Sequence, residues 1–224
     1  MKLYAEIYPF TKERNINEEI QNLEDYDGFD IPDNPLGYPK TPPLLIGYVL
    51  RKRYENKEII INQTLNSVEE INIRSVIKGA KYINSSIVFT MGDKPKYGNE
   101  INDLTSEKAL KISKDNDIKT GLILSFSKSD LMIYKRLKSN ADFYFGLNID
   151  NVKRLSTFNE YNIIPYIIIK TQKNYKTIKA IKQPYVDFEN LREYCDELEK
   201  YGIKSVLLST PGDKRGLYNI LSVL

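Results

Sequence analysis

An alternation of strand-like and helix-like segments, repeated eight times, limits the folds open to this chain. Segments with helical spacing lie between the strand-like runs, and one such helix has Ile73, Val76, Ile77 and Ala80 on one face. Because neighbouring parallel strands need a crossover connection, this alternation predicts a parallel sheet. The runs rich in β-branched and aromatic residues that predict strands are Lys2–Tyr8, Gly28–Ile31, Glu58–Thr64, Ser86–Met91, Lys119–Phe126, Ala141–Leu147, Ile163–Lys170 and Lys204–Ser209.

The number and tight spacing of these repeats favour an α/β fold with a single (β/α)8 TIM barrel. No Gly/Ser-rich linker or low-complexity block divides the chain, so one domain over residues 1–224 is predicted. An open doubly wound sheet is the alternative fold. That alternative lacks support from the first strand, because no G-x-G-x-x-G motif follows it.

Composition excludes several classes of site. The chain has 33 Lys and Arg against 30 Asp and Glu, and the basic residues are scattered, so no nucleic-acid partner is predicted. It contains no histidine, which excludes Ser–His–Asp and Cys–His catalysis and every histidine-based metal site. No D-x-[DN]-x-[DN]-G loop is present either, so no metal site is predicted.

Cysteine usage and hydropathy indicate the compartment. A lone cysteine, Cys195, excludes an intramolecular disulfide and fits a reducing environment. The longest apolar stretch, Ile163–Ile169, is too short to span a bilayer, and Lys2 and Glu6 interrupt any apolar leader. A cytoplasmic protein with no membrane partner is therefore expected.

Polar residues follow most of the predicted strands. A (β/α)8 barrel carries its active site at the carboxyl ends of its strands, so these side chains are expected to meet at one mouth. Strand–helix loops are polar in any protein, and each residue alone is a weak signal. The strand-exit residues are Asp33, Asn34, Gln63, Thr64, Gly92, Asp93, Ser125, Ser127, Asn148, Gln172, Ser209 and Thr210.

Glu6 differs from these residues because it lies inside the first predicted strand. Alternation divides that strand into two faces, Leu3, Ala5 and Ile7 on one and Tyr4, Glu6 and Tyr8 on the other. The aliphatic face suits packing against helices, so Glu6 is expected to point into the barrel. Desolvation there would raise its pKa and let it carry a proton near neutral pH. The alternative is a structural hydrogen bond or an ion pair with a barrel lysine.

Five short motifs occur in the same order as in a known family. They are Glu6-Ile7-Tyr8-Pro9-Phe10, Asp33-Asn34-Pro35, Asn62-Gln63-Thr64, Phe89-Thr90-Met91-Gly92-Asp93-Lys94-Pro95 and Asp130-Leu131-Met132-Ile133-Tyr134-Lys135. The series resembles the methylenetetrahydrofolate reductase family, whose motifs read E-[hydrophobic]-[aromatic]-P-P, D-N-P, H-L-T, L-x-G-D-x-P and D-L-x-x-L-K. Because the matches are collinear and extend over most of the chain, together they are more specific than any one motif.

The resemblance implies a flavin-dependent (β/α)8 barrel that reduces the methylene bridge of a folate to a methyl group. It implies that Glu6 protonates the pterin and opens the bridge, and that Asp93 is a second catalytic residue beside the flavin and pterin rings. The implied cofactor-binding residues are Thr64, Asp130, Gln63 and Asn62. The implied substrate-binding residues are Asn34, Asn148 and Tyr8.

Departures from the family pattern concentrate on the flavin. The histidine before the L-T pair is Asn62 here, and Ser125–Lys128 replaces the family's Y-P-E-x-H-P segment. Gly146-Leu147 stands in place of the T-Q pair of the sixth strand. Because most of the changed residues belong to the flavin site, the sequence predicts FAD or FMN that is held weakly or is absent. Because Glu6 is retained, a tetrahydropterin substrate is still expected.

Two functions therefore stay open. The first is reduction of a methylene-tetrahydropterin, folate or archaeal-type, in one-carbon metabolism, with a partner subunit or a homo-oligomer. The alternative is a flavin-free pterin-binding barrel, either a one-carbon transferase or a non-catalytic subunit of a complex. A structural or interaction protein is the third class.

Overall fold

The computed structural model describes residues 1–9, 20, 22–181, 183–213 and 215–224. The strands in these ranges are β1 (Lys2–Glu6), β2 (Gly28–Ile31), β3 (Glu58–Thr64), β4 (Ser86–Thr90), β5 (Thr120–Ser125), β6 (Phe143–Leu147), β7 (Ile163–Lys170), β8 (Val186–Asp187) and β9 (Ser205–Ser209). The α-helices are α1 (Pro43–Arg53), α2 (Glu70–Tyr82), α3 (Ser106–Lys114), α4 (Asp130–Leu137), α5 (Tyr175–Ile181), α6 (Leu191–Lys200) and α7 (Gly216–Ile220). None of the helices in the described ranges has the length and apolar character needed to cross a membrane.

The strands form a closed parallel barrel. Their order is β6-β5-β4-β3-β2-β1-β9-β7, and β6 pairs with β7 to complete the ring. Helices connect successive strands, so the predicted (β/α)8 TIM barrel is confirmed, and the open doubly wound sheet is wrong. The two-residue strand β8 adds to β7 at Ile169 and Lys170 as a ninth strand of the sheet.

The strand predictions differ from the structure mainly at their ends. The first strand was predicted over Lys2–Tyr8 and ends at Glu6, although Ile7 N still donates to Asp30 O at 2.7 Å. Pro9 follows, and it has no N–H with which to continue the ladder. Phe10, the last residue of the first family-like motif, lies outside the described residues.

By contacts, the chain divides into two compact units. The first comprises Met1–Glu6, Asn22–Asp27 and Leu124–Leu224, and the second comprises Ile7–Gln21 and Gly28–Ile123. Each is described by itself below. The prediction of one domain over residues 1–224 stays a prediction.

In the first unit, β1, β9 and β7 lie side by side in matched register. Ala5 of β1 pairs with Leu208 of β9, and Ile168 of β7 pairs with Ser209. Extending the β1 pairing by one residue brings Glu6 to the level of Ser209. The surrounding side chains, Leu207 among them, are buried, and burial of such aliphatic residues is the main stabilising term. The register therefore positions a carboxyl and a hydroxyl beside one another.

In the second unit, β2, β3 and β4 pack against α1 and α2. Gly47 of α1 permits this packing, because a Cβ there would lie 2.8 Å from Ile61 Cδ1 of β3. Ile73, Ile77 and Ala80 of α2 are buried, as the helical spacing predicts. The same packing brings the carboxyl ends of β2, β3 and β4 together at one edge.

Candidate functional site

Glu6 is the centre of a hydrogen-bonded cluster in the first unit. Its carboxylate accepts hydrogen bonds from the Tyr166 hydroxyl, at 3.2 and 3.1 Å to the two oxygens, and from the Ser209 hydroxyl. Tyr166 belongs to β7, and Ser209 is the last residue of β9. In the described part of the chain, no lysine or arginine bonds to Glu6, so the ion pair considered from sequence is not seen there.

The environment of Glu6 favours the protonated carboxyl. Burial raises the pKa of Glu6 above its ordinary value of 4.5, while the hydrogen bonds from Ser209 and Tyr166 act in the opposite direction and lower it. Burial is the larger effect. A carboxyl that holds its proton more tightly than an exposed glutamate, and whose anion is stabilised by two hydroxyls, is chemically suited to donate a proton. The prediction that Glu6 faces the barrel interior stays a prediction.

A cavity of about 310 Å³ lies beside this cluster, lined by residues that follow β6 and by the middle of β7. Tyr166 borders it, so one tyrosine contacts both Glu6 and the cavity. We call it the tyrosine cavity. Its lining residues are Asn148, Ile149, Asp150, Tyr166, Ile167, Ile168, Gln183, Pro184, Tyr185, Val186 and Tyr194.

Asn148, predicted to bind substrate, lines the tyrosine cavity. It follows β6 in a left-handed conformation, φ 57°, which asparagine tolerates better than most residues. Its Nδ2 donates to Ser125 Oγ at 3.1 Å, and Ser125 Oγ lies 2.8 Å from Ser127 Oγ. These three strand-exit residues are therefore brought together in the first unit.

In the second unit, Asp33 receives the side chains predicted to hold a cofactor. Its Oδ2 accepts hydrogen bonds from Thr64 Oγ1 at 2.6 Å, Thr64 N at 3.1 Å and Gln63 Nε2 at 3.1 Å. Burial raises the pKa of Asp33, and its bonds from Thr64 lower it. Thr64 and Gln63 thus use their donors within the protein.

Asn62, the remaining cofactor candidate on β3, bonds to a buried carboxylate. Its Nδ2 donates to Asp30 Oδ2 at 2.8 Å, and Asp30 is 1% exposed. The buried Oδ1 of Asn62 has no hydrogen-bond partner among the described residues. Buried polar atoms usually have a hydrogen-bond partner, so this oxygen is able to accept a hydrogen bond from a group other than the described residues.

Two loops of the second unit, residues 34–40 and 91–97, are joined and enclose a smaller cavity. Leu36 N donates to Asp93 Oδ2 at 2.9 Å, and Lys96 N donates to Gly37 O at 2.9 Å. The cavity between them measures about 110 Å³. Its lining residues are Asn34, Gly37, Pro39, Thr64, Asn66, Ser67, Asp93, Pro95 and Tyr97.

The structure brings some of the predicted residues together. Asn34, Thr64 and Asp93 share the smaller cavity of the second unit, and Glu6, in the first unit, has the partners given above. Asp93 is exposed, and one of its carboxylate oxygens positions the backbone of residue 36. Tyr8 is half-buried just after β1. The roles assigned to these residues stay predictions.

Asp130, predicted to contact the flavin, forms an ion pair at the start of α4. Its Oδ1 accepts from Arg154 Nη2 at 2.6 Å and from Arg154 Nε at 2.9 Å. Arg154 also donates to the carbonyl oxygens of Phe126 and Lys128, which fastens the β5–α4 loop. No sequence motif points to Arg154, which lies in a 3-10 helix, Val152–Phe158.

Replacing Arg154 by leucine is expected to lower the free energy of unfolding by about 2 kcal/mol, because charge-assisted bonds to a loop are lost. Arg74→Leu is the matched control. Its ion pair with Glu70 is exposed, with the Arg74 side chain at 50% exposure against 25% for Arg154, so about 0.5 kcal/mol or less is expected. Urea unfolding of both variants measures the difference. Equal losses would mean that Arg154 does not fasten the loop.

The residues assigned to a flavin do not form a flavin site as they are arranged. The hydroxyl of Thr64 and the amide of Gln63 donate to Asp33, and Asp130 is bonded to Arg154. The cavity beside Thr64, at about 110 Å³, is well below the roughly 300 Å³ at which ligand pockets begin. These side chains are therefore not assigned to a bound flavin.

No protein family model matches this chain, and no curated protein sequence is significantly similar to it.

Proposed function

We propose that this barrel binds a tetrahydropterin one-carbon carrier and opens its methylene bridge by protonation, as the first step of a methylenetetrahydrofolate reductase-like reduction. The observation that carries the proposal is the Glu6 cluster: a carboxyl with a raised pKa at the end of β1, held by the Ser209 hydroxyl at the end of β9 and by the Tyr166 hydroxyl of β7. Carboxyl ends of strands are where (β/α)8 barrels carry out chemistry. The collinear family-like motifs, which include Glu6, supply the substrate class.

The protonation step follows from the chemistry of these three side chains. Glu6 transfers its proton to one nitrogen of the bridge, the bond from that nitrogen to the bridging carbon breaks, and the lone pair of the second nitrogen forms a C=N⁺ iminium. Glu6 is left as a carboxylate. The Tyr166 and Ser209 hydroxyls then donate to a full negative charge, and hydrogen bonds to charged groups are the stronger ones. Proton transfer from a positioned acid typically contributes about 10²–10⁴ in rate.

Completing the reduction requires a hydride donor. Because the side chains predicted for a flavin are bonded within the protein, we assign FAD or FMN to a partner subunit or a second copy rather than to those side chains. In this proposal the chain is an oxidoreductase component that supplies the proton and the pterin site.

The alternative is a flavin-free pterin-binding barrel, acting as a one-carbon transferase or as a non-catalytic subunit. The internal bonds of Thr64 and Asp130 favour it, since both groups already have hydrogen-bond partners within the protein. In a transferase, the same iminium would be attacked by a nucleophile other than hydride. The Glu6 step is common to both catalytic versions.

The proposal is tested anaerobically with purified protein and methylene-tetrahydrofolate. Bridge opening is measured as exchange of the bridging carbon with ¹³C-formaldehyde, above the rate without protein, and reduction is measured as methyl-tetrahydrofolate formed after adding reduced FMN. Exchange with reduction supports the reductase. Exchange alone means that the chain opens the bridge without using added FMN, as both the transferase and a reductase with a flavin-bearing partner subunit would. If neither rate exceeds the rate without protein, the chain does not act on a methylene-tetrahydrofolate and the proposed function is wrong.

A further inference from the structure

The tyrosine cavity contains polar groups that the described protein does not use. The Gln183 carboxamide and the Tyr194 hydroxyl form no hydrogen bond with any described residue, and Asn148 uses only its Nδ2. Burial raises the pKa of Tyr194 to about 12, so its hydroxyl stays protonated and can donate. Such groups at a concave site are the ones that orient a ligand.

The lining and the volume of the cavity suit a flat ring of modest size. Tyr166, Tyr185 and Tyr194 provide aromatic surfaces, and Ile167 and Ile168 provide aliphatic ones. Aromatic rings stack favourably on one another in offset or edge arrangements. A volume of about 310 Å³ is at the lower end of the ligand-pocket range of roughly 300–1,000 Å³, which fits a fused two-ring heterocycle better than a larger group.

The lining also limits the charge of the ligand. Among the described lining residues, Asp150 is charged and none is a lysine or arginine, so the lining offers no cation to balance the charge of a phosphate. Lys170 lies close to Tyr185, with its ammonium 5.0 Å from the ring centroid, but it is paired with Asp187. A carboxylate accepts hydrogen bonds, and a carboxamide both donates and accepts. This combination matches a ring edge that carries amino and ring N–H donors beside a carbonyl.

We propose that the tyrosine cavity binds a fused aminopyrimidinone ring, the ring system shared by pterins and guanine. Asp150 accepts from the N–H edge, Asn148 and Gln183 bond the carbonyl and ring nitrogens, and the tyrosines stack on the faces. Tyr166 then connects the occupied cavity to Glu6. Only the choice of pterin over guanine rests on the proposed function.

Because the sequence has no tryptophan, a single introduced tryptophan reports on one cavity. Tyr185→Trp places the reporter in the tyrosine cavity, and Tyr97→Trp places a matched reporter beside the smaller cavity. Both tyrosines are partly or largely exposed, at 46% and 72%, so the larger ring is tolerated. Titration with tetrahydrofolate, and separately with guanosine, is expected to quench Tyr185→Trp emission well beyond that of Tyr97→Trp for at least one of them.

A second pair of variants tests the hydrogen bonds. Gln183→Leu removes a lining carboxamide at nearly constant size and is expected to weaken binding about tenfold, the effect of one hydrogen bond. Gln172→Leu is the matched control, an exposed glutamine at the end of β7 that does not line the cavity, and no change is expected. Calorimetric titration gives both dissociation constants.

The outcomes separate this inference from the proposed function. Quenching of Tyr185→Trp by tetrahydrofolate, with loss in Gln183→Leu, supports both. Response to guanosine alone supports the cavity assignment and contradicts the pterin function. Tetrahydrofolate binding that leaves Tyr185→Trp unquenched and is unaffected in Gln183→Leu overturns the cavity assignment and leaves the function standing. Binding of neither compound overturns both.

Discussion

Replacing Glu6 by glutamine is expected to slow opening of the methylene bridge by about 10²–10⁴-fold while tetrahydropterin binding is retained. Glutamine is nearly the same size as glutamate and can still accept hydrogen bonds from Tyr166 and Ser209, but it has no acidic proton to transfer. Because the proton is needed only when the bridge opens, the loss should fall on the rate constant rather than on affinity.

The measurement is the ¹³C-formaldehyde exchange rate, with calorimetric titration of tetrahydrofolate on the same samples. Glu100→Gln is the control, because it makes the same substitution at an exposed position. If Glu6→Gln reduces binding as strongly as it reduces exchange, Glu6 is a structural residue and the mechanism is wrong.

Glu6→Gln is also expected to change how the free energy of unfolding depends on pH. The folded protein holds the Glu6 proton more tightly than the unfolded chain does, because the pKa in the folded state is raised above 4.5. Stability from this group is therefore complete below that pH and is lost as pH rises through the folded pKa. Glutamine does not titrate. The unfolding free energy of Glu6→Gln should thus gain on that of wild type as pH rises above 4.5 and through the raised folded pKa, and a constant difference would contradict a raised pKa.

Gly37→Ala is expected to lower the free energy of unfolding by about 3 kcal/mol or more. Gly37 has φ 75°, where any side chain is strained, and a Cβ there would lie 2.1 Å from Lys94 O. Because Lys94 O is a backbone atom, one of the two loops must move to make room for the Cβ. That movement would also weaken the hydrogen bond from Leu36 N to Asp93. The joined loops around the smaller cavity therefore depend on this glycine.

Gly98→Ala provides the comparison for Gly37→Ala. It has nearly the same backbone conformation, φ 78°, but nothing lies within 4 Å of its Cβ position. Only the conformational strain, about 1 kcal/mol, is expected there. The difference between the two variants in urea unfolding isolates the close approach of the loops. Equal values would mean that the loops separate at little cost.

The barrel could be predicted from sequence because its signal is periodic and local. Glu58–Thr64 and Ile163–Lys170 were predicted with the bounds that the structure has, since each is a β-branched run bounded by turn residues. The strand Val186–Asp187 was not predicted, because two residues carry no periodicity. Its pairing with β7 depends on tertiary context instead.

The candidate site was only partly predictable. Glu6 stood out as a charged residue within a strand, and Ser209 as a polar strand exit. Tyr166 did not stand out, because a tyrosine within an aliphatic strand is predicted to be an ordinary core residue. Its contact with Glu6 also joins residues 160 positions apart. Arg154 was not predicted because its partners are likewise distant in sequence, at positions 126, 128 and 130.

The pairing of β1 with β9 has a consequence for synthesis of the protein. The hydroxyl that bonds Glu6 belongs to a residue 203 positions later, so during synthesis the edge of β1 that pairs with β9 stays unpaired until those later residues have been made. That strand edge, with Tyr4 and Ala5 at its centre, is open to wrong pairing until β9 emerges from the ribosome. Folding of the barrel should therefore be slow relative to its helices and sensitive to chaperones that shield β1, and the proton-donating cluster should be among the last parts of the molecule to form.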